Sequence, residues 1–347
     1  MVKAGNALSR STNLKAVIHG SFYTFTSRAI DLAFMSLSNT QTNNNKPIES
    51  IKMNRIQANE IVDSIDSLET IKAALQACMD RGPERIGKTG TWQYHAKKLL
   101  SWLDGSMKSA APYRVFQAQG NKKLPFYAFS SLALADCPGK GDCVKFCYSL
   151  KAWRYPAAFF RQVQNSLLLR FQNETVANAF HAIPQEKTVR LFVDGDFKDV
   201  ATLRFFMDLC KARPDLRCYG YSKSWHEFIT LNATGYAWPD NYLTNASSGS
   251  KWAKTGIANA FLALPIVRGQ FDAVTVEKLF IQLKSYQGKD KPESNAYRKA
   301  VREKLKELTG SKKVFACPGN CGNCLPSGEH ACGSKSFDQI TIGIGVH

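Results

Sequence analysis

The chain has little histidine, little acid and no long apolar run. Its six histidines are scattered at His19, His95, His181, His226, His330 and His347, so no centre built from several imidazoles is written into it. The best apolar stretch, ANAFLALPIV, falls far short of the roughly 20 residues that a membrane helix needs. No membrane partner is therefore expected. Asp and Glu number 28 against 46 Lys and Arg, and the formal charge of +18 points to a polyanion such as nucleic acid or anionic lipid. No acid precedes Asp31, a composition shared by transit peptides and equally by an upstream extension ahead of a start at Met53. Cysteine is sparse too, ten in 347 residues, but it is bunched rather than spread. Secreted disulfide scaffolds are small and evenly cysteine-dense, so metal ligation in a reducing cytoplasm is the better expectation.

Three segments follow from composition and periodicity. Residues 1–53, with SNTQTNNNKP, are too polar to order themselves. Residues 54–111 place apolar residues three and four apart, which predicts a helical lead-in. From 112 to 347 strand-like runs alternate with helical ones, the pattern of βα units with a mostly parallel sheet. The expected strands are LPFYAFSSLAL (124–134), KTVRLFVDGDF (187–197), LRCYGYSKSW, NYLTNASSGS, GIANAFLALPIV and DQITIGIGVH. YPAAFFRQVQNSLLLRFQN, DVATLRFFMDLCKARP and ESNAYRKAVREKLKELTG read as helices. Polar residues and glycines gather where those strands end, the edge at which parallel α/β folds bind ligands.

Seven of the ten cysteines fall in two clusters. CPGKGDCVKFC holds Cys137, Cys143 and Cys147, and CPGNCGNCLPSGEHAC, within about 314–335, holds Cys317, Cys321, Cys324 and Cys332. Thiolates are soft ligands that select zinc or iron–sulfur centres. Four of them close either a tetrahedral zinc site or a complete cluster, so the C-terminal group suits both metals, and His330 is a substitute ligand there. Three ligands on a four-iron cluster leave one iron open, whereas structural zinc needs a fourth ligand from elsewhere. Phe146 and Tyr148 flank Cys147 and are placed to shield a cluster from solvent.

A parallel strand running into three clustered cysteines, with an aromatic before the last, resembles the radical S-adenosylmethionine superfamily. More closely, CPGKGDCVKFCYS, VRLFVDGDF, CYGYSKSW and CPGNCGNC, in that order over roughly residues 112–335, resemble the gene product 88 domain family of phage and plasmid proteins. The resemblance implies an α/β fold, a partial (β/α) barrel of mostly parallel strands with a helical N-terminal lead-in and a C-terminal cysteine-rich metal-binding segment. It implies a 4Fe-4S cluster on Cys137, Cys143 and Cys147, with S-adenosylmethionine as cofactor and Asp194, Gly195 and Asp196 where radical enzymes meet the cofactor's amino group. The cysteine gaps, five and three residues, depart from the usual three and two.

Other candidates are weaker. Asp-Gly-Asp is ordinary turn chemistry without the cysteines beside it. Lys223 suits a carboxylate or phosphate. Cys78, Cys210 and Cys218 have no partner at short spacing and read as core or free thiols. GPERIGKT (82–89) matches the letters of a phosphate loop, yet the residues before it read as helix rather than the required strand. Between Arg81 and Arg161 there are 14 Lys or Arg against 4 acids, interleaved with aromatics. That mixture suits nucleic acid, with Lys97, Lys98, Lys122, Lys123, Lys145 and Arg154 as phosphate contacts. Two functional classes stand: an iron–sulfur enzyme of a mobile genetic element acting on or near nucleic acid, and a non-catalytic metal-stabilised DNA- or RNA-binding protein.

Overall fold

The computed structural model describes residues 57–81, 91–119, 124–271, 295–310, 312–318, 321, 324, 331–334 and 340–343. The polar segment 1–53, the phosphate-loop-like stretch at 82–90, Lys122, Lys123 and His330 lie outside the described residues.

The lead-in is helical, with a segment over 57–63, then α1 (Leu68–Asp80) and α2 (Trp92–Asp104). Each named helix starts where a hydroxyl satisfies a free backbone N–H: Ser67 accepts from Thr70 at 3.4 Å and Thr91 from Tyr94 at 3.1 Å. Their apolar stripes enter the same core as the α/β part. The Trp92 ring lies 4.8 Å from Phe159 and 5.3 Å from Phe160. Because α1 leads into the stretch at 82–90, the strand that a phosphate loop requires is absent from that position.

Seven parallel strands form one sheet: β1 (Tyr127–Ala128), β2 (Thr188–Leu191), β3 (Arg217–Ser222), β4 (Tyr242–Ser247), β5 (Val267–Phe271), β6 (Val314–Ala316) and β7 (Ile340–Gly343). Their order is β1-β2-β3-β4-β5-β7-β6. Parallel neighbours need crossovers, and helices supply most of them: α3 (Tyr148–Ala152), α4 (Pro156–Phe171), α5 (Asn173–His181), α6 (Val200–Ala212), α7 (Trp225–Ala233), α8 (Gly256–Leu262) and α9 (Asn295–Thr309). The first five strands advance in one direction with no reversal, unlike a doubly wound sheet. Among the described residues no pairing joins β1 to β6, so the sheet is open.

The two faces differ. Val189, Leu191, Cys218, Tyr242 and Ala246 pack with Phe206, Phe228 and Leu231 of the helices. On the other face Tyr219, Leu243, Ile340 and Ile342 pack with Cys332, so part of the C-terminal cysteine segment covers the sheet where helices do not.

Two expectations are corrected. GIANAFLALPIV begins as helix α8 after Thr255, and β5 starts only at Val267. Phe261 is the buried residue of α8, while Leu264, Ile266 and Val267 are buried beyond its end, and a short apolar run does not distinguish such a helix from a strand. In LPFYAFSSLAL only Tyr127–Ala128 is strand, and the rest turns toward Asp136. The three-residue β6 was too short to read from the sequence.

Arg170 at the end of α4 binds this turn. Its guanidinium donates to Asp136 at 2.7 Å and to Asp66 of the lead-in at 2.6 Å, and the Asp136 side chain is wholly buried. Ser166 donates to the other Asp136 oxygen and accepts from the Leu132 N–H. Removing the cation strands a buried carboxylate, so Arg170→Met is expected to cost about 3–5 kcal/mol in urea denaturation. Asp66→Asn, which removes only the exposed partner, is expected to cost no more than about 1 kcal/mol.

Candidate metal centre

The first cysteine group sits on the loop between β1 and α3, at the carboxyl edge of the sheet. That loop is docked by its backbone. Lys251 N–H donates to Gly139 C=O at 3.0 Å, Cys143 N–H donates to Gly249 C=O at 3.2 Å, and Lys140 forms an antiparallel bridge with Ser250. The close approach explains the glycines threaded between the cysteines. A Cβ on Gly139 would lie 1.7 Å from the Lys223 carbonyl oxygen, and one on Gly141 would lie 2.6 Å from Lys251 N. Gly249, with φ +74, would bring a Cβ within 2.8 Å of the Cys143 Cβ.

The Asp-Gly-Asp after β2 is divided in its roles. Asp196 is buried, and its carboxylate accepts from Phe197 N–H (2.9 Å), Ser222 Oγ (2.8 Å), Lys223 N–H (2.6 Å) and Ser224 N–H (3.2 Å). Burial raises its pKa against those lowering hydrogen bonds. Four donors make it a latch on the β3–α7 turn. Gly195 has φ +75, and a Cβ there would meet Ser131 Oγ at 2.1 Å. Ser131 Oγ is itself buried with no hydrogen-bond partner. Asp194 accepts from Ser149 Oγ at 2.6 Å, one residue past the Tyr148 that follows Cys147. Lys223 Nζ donates to Ser247 Oγ at 2.6 Å.

Cys137, Cys143 and Cys147 act on one another electrostatically. Burial pushes the Cys137 thiol up, followed by the charge of Asp196 and then of Cys147 and Cys143. The Cys147 thiol is raised by burial and by Cys143, with Ser149 and Leu150 N–H groups pulling the other way. Tyr148 half-exposes its ring and donates its hydroxyl to the Val193 carbonyl, joining the cysteine loop to the end of β2.

The C-terminal group lies on the other sheet face. Cys317 N–H donates to Gly343 C=O at 2.8 Å, Asn245 Nδ2 donates to Cys332 C=O at 2.8 Å, and Ala331 N–H donates to Cys324 Sγ at 3.2 Å. Burial and the nearby Cys317 raise the Cys332 thiol. Cys321 is raised by burial, opposed by Arg190. Among the described residues no three His, Cys, Asp or Glu side chains converge so as to hold one metal ion.

Of the basic candidates, Lys97 and Lys98 are exposed on α2, with Lys98 4.8 Å from the Tyr113 ring centroid. Exposed Lys145 is paired with Asp142 at 2.7 Å, and Arg154 is exposed in the turn before α4. The structure places these on separate elements. Sequence reasoning overlooked Ser131, Ser149 and Arg190. Arg190 had a readable signal, a lone cation inside the apolar run VRLFV.

No curated protein and no solved structure matches the chain. A family model described as gene product 88 matches residues 103–333. The match includes both cysteine clusters and leaves out α1 and most of α2.

The docking contacts give a direct test. Gly139→Ala is expected to lift the cysteine loop from the strand ends while leaving helix content by circular dichroism unchanged. Trypsin cleavage at Lys140 and Lys145 then accelerates at least about tenfold, the change produced by roughly 1.4 kcal/mol of local destabilisation.

Proposed function

The chain belongs to the gene product 88 family, and from that premise we propose that it is an iron–sulfur protein with a partial-barrel scaffold, related in mechanism to radical S-adenosylmethionine enzymes and working on or near nucleic acid. One observation carries the reading. Three thiols from a single loop are fixed at the carboxyl edge of a parallel sheet by backbone contacts that only glycine permits. Three ligands on a four-iron cluster leave one iron open, whereas a structural zinc ion would need a fourth ligand from elsewhere.

In this reading Cys137, Cys143 and Cys147 hold a 4Fe-4S cluster, which when bound supplies a one-electron donor and an iron open to a small molecule. The chain's own part is orientation and the exclusion of competing reactions. Asp196 fixes the β3–α7 turn rather than meeting a ligand, since four protein donors occupy its oxygens. Asp194 keeps one carboxylate oxygen outside its bond to Ser149 and is the better contact for the cofactor's amino group. Gly195 lets the chain pass Ser131. Lys223 reaches Ser247 and is placed for a carboxylate. Cys317, Cys321, Cys324 and Cys332 hold a second centre, either a cluster or zinc.

The second reading, a non-catalytic nucleic-acid binder, rests on exposed Lys97 and Lys98 on α2, which also carries the exposed ring of Tyr94, and on the exposed Arg154 and Tyr155 before α4. Aromatics with cations form stacking platforms for single strands.

Anaerobically purified protein is expected to contain iron and acid-labile sulfide, and Cys143→Ala to lose one centre while keeping the other. Stoichiometric zinc without sulfide would defeat the iron reading. Adding S-adenosylmethionine to the reduced protein is expected to perturb its electron paramagnetic resonance signal, and dithionite to release 5′-deoxyadenosine. Asp194→Asn weakens that perturbation, whereas Asp196→Asn lowers thermal stability. Absence of both perturbation and product would favour the binding protein.

The nucleic-acid arm is read from salt dependence. Log affinity is expected to fall linearly with log salt, by about 0.7–0.9 per phosphate neutralised, with charge reversal at Lys97 and Lys98 flattening the slope. Undetectable binding near physiological salt would remove nucleic acid from the proposal.

A further inference from the structure

The loop after β4, SGSKWAKTG (248–256), lies against the first cysteine loop and is one-sided in charge. No Asp or Glu stands between Asp240 and Asp272. Lys251 and Lys254 are both exposed. The loop turns tightly about its aromatic residue: Trp252 N–H donates to Ser250 Oγ at 3.3 Å, and Thr255 Oγ1 donates to the Trp252 carbonyl at 2.8 Å.

Trp252 is half-buried, and His226, the second residue of α7, stacks on it with ring centroids 5.6 Å apart and planes 27° from parallel. Lys251 Nζ lies 4.6 Å from the Trp252 centroid. His226 is exposed and has no other ring neighbour among the described residues, so the face turned away from Trp252 is open to solvent. Glu227, the acid beside it, has its Oε2 buried, and burial raises its pKa. Lys145 joins the same rim from the cysteine loop, whose residues 139–143 dock on 249–251. Lys145 first, and Lys254 after it, hold the Asp142 carboxyl below its usual range, so the two loops share one field.

A rim of ammonium groups around an open, backed ring suits an unpaired nucleic-acid strand, whose phosphates meet the cations while a base lies on the ring. In a duplex those base faces are hidden in their own stack. An anionic membrane would also be drawn by the lysines, but it takes apolar side chains as well. Among the described residues no exposed large apolar side chain lies between 226 and 256.

Resting on the nucleic-acid part of the proposed function, we propose that this rim is a single-strand binding surface. Lys251 and Lys254 contact phosphates, with Lys145 beside them, and His226, backed by Trp252, carries one stacked base. Unlike Lys97, Lys98 and Arg154, these residues border the first cysteine loop, so the bound strand runs along the candidate centre.

The test uses the full chain and fluorescence anisotropy with a dye-labelled oligothymidylate of about 20 nucleotides, longer than one single-strand site. Lys251→Glu with Lys254→Glu is expected to lower affinity at least about tenfold near ~0.1 M salt and to flatten the log–log salt slope by about 1.4, two phosphates at roughly 0.7 each. The same charge change at exposed Lys299 and Arg302 of α9, which packs against the edge strand β6, leaves the slope as it is. His226→Ala is expected to weaken binding about 5- to 100-fold, the span of one lost stacking contact, and His226→Phe, which keeps a ring, to retain most of the affinity. The duplex form of the oligonucleotide binds less tightly. Lys254 lies over no ring, so Lys254→Glu alone reads about half the slope change if the double variant melts below the parent. Parent affinity and slope in the rim lysine variants, equal losses in His226→Ala and His226→Phe, an α9 pair that matches the rim pair, or equal affinity for the duplex would each overturn the proposal while nucleic-acid binding stands. Binding to vesicles of phosphatidylserine and phosphatidylcholine without binding to the oligonucleotide assigns the rim to a membrane and overturns it too. If the parent binds no oligonucleotide, the nucleic-acid reading falls and takes the proposal with it.

Discussion

The structure around the first cysteine group depends on one buried carboxylate. Asp196 collects two backbone N–H groups from the β3–α7 turn and a hydroxyl from Ser222, which fixes where the Lys223 carbonyl points. Ser250 Oγ donates to that carbonyl at 3.1 Å, and Gly139 packs directly on it. The cysteine loop then follows the loop after β4, through Lys251 and Cys143. The positions of three thiols thus descend from one carboxylate, two sequence-distant turns and a few glycines. Buried carboxylates are costly unless saturated, and four donors saturate this one.

The two cysteine groups stand in different electrostatic settings. Near the first, negative charge accumulates, with Asp194 and Asp196 at the end of β2 and Lys223 close by. Between them stands Arg190, a cation among the phenols of Tyr148, Tyr219 and Tyr221. β2 carries Arg190, and the turn after it carries Asp194 and Asp196.

Much of this architecture was legible in the sequence, because parallel strands buried on both faces leave apolar runs bounded by helical periodicity. VRLFV, LRCYGYS and NYLTNAS each mark a strand of the sheet. GIANAFLALPIV misled because a short apolar run carries no decisive period, and its Phe261 serves a helix. At the site, spacing revealed the cysteines, and Asp-Gly-Asp was found for its position rather than its roles. The division between a saturated Asp196 and a singly bonded Asp194 depends on which backbone groups arrive from residues 222–224, a matter of tertiary placement that no local pattern encodes. Arg190 escaped because its neighbours, Tyr219 and Tyr221, come from the next strand of the sheet.

The insertion of the last strand between two earlier ones orders events in time. β6 pairs with β7 alone, so it has no neighbour in the sheet until Ile340–Gly343 slides in beside β5. The crossover that delivers β7 is the stretch 317–339, which begins at Cys317 and contains the whole second cysteine group. Any tie between Cys317 and Cys332 shortens the loop that must close, and loop closure is the entropic barrier to such a non-local pairing. The far side of the sheet is therefore completed only once Ile340–Gly343 has been made, and a tie across the stretch before it would bring that strand in sooner.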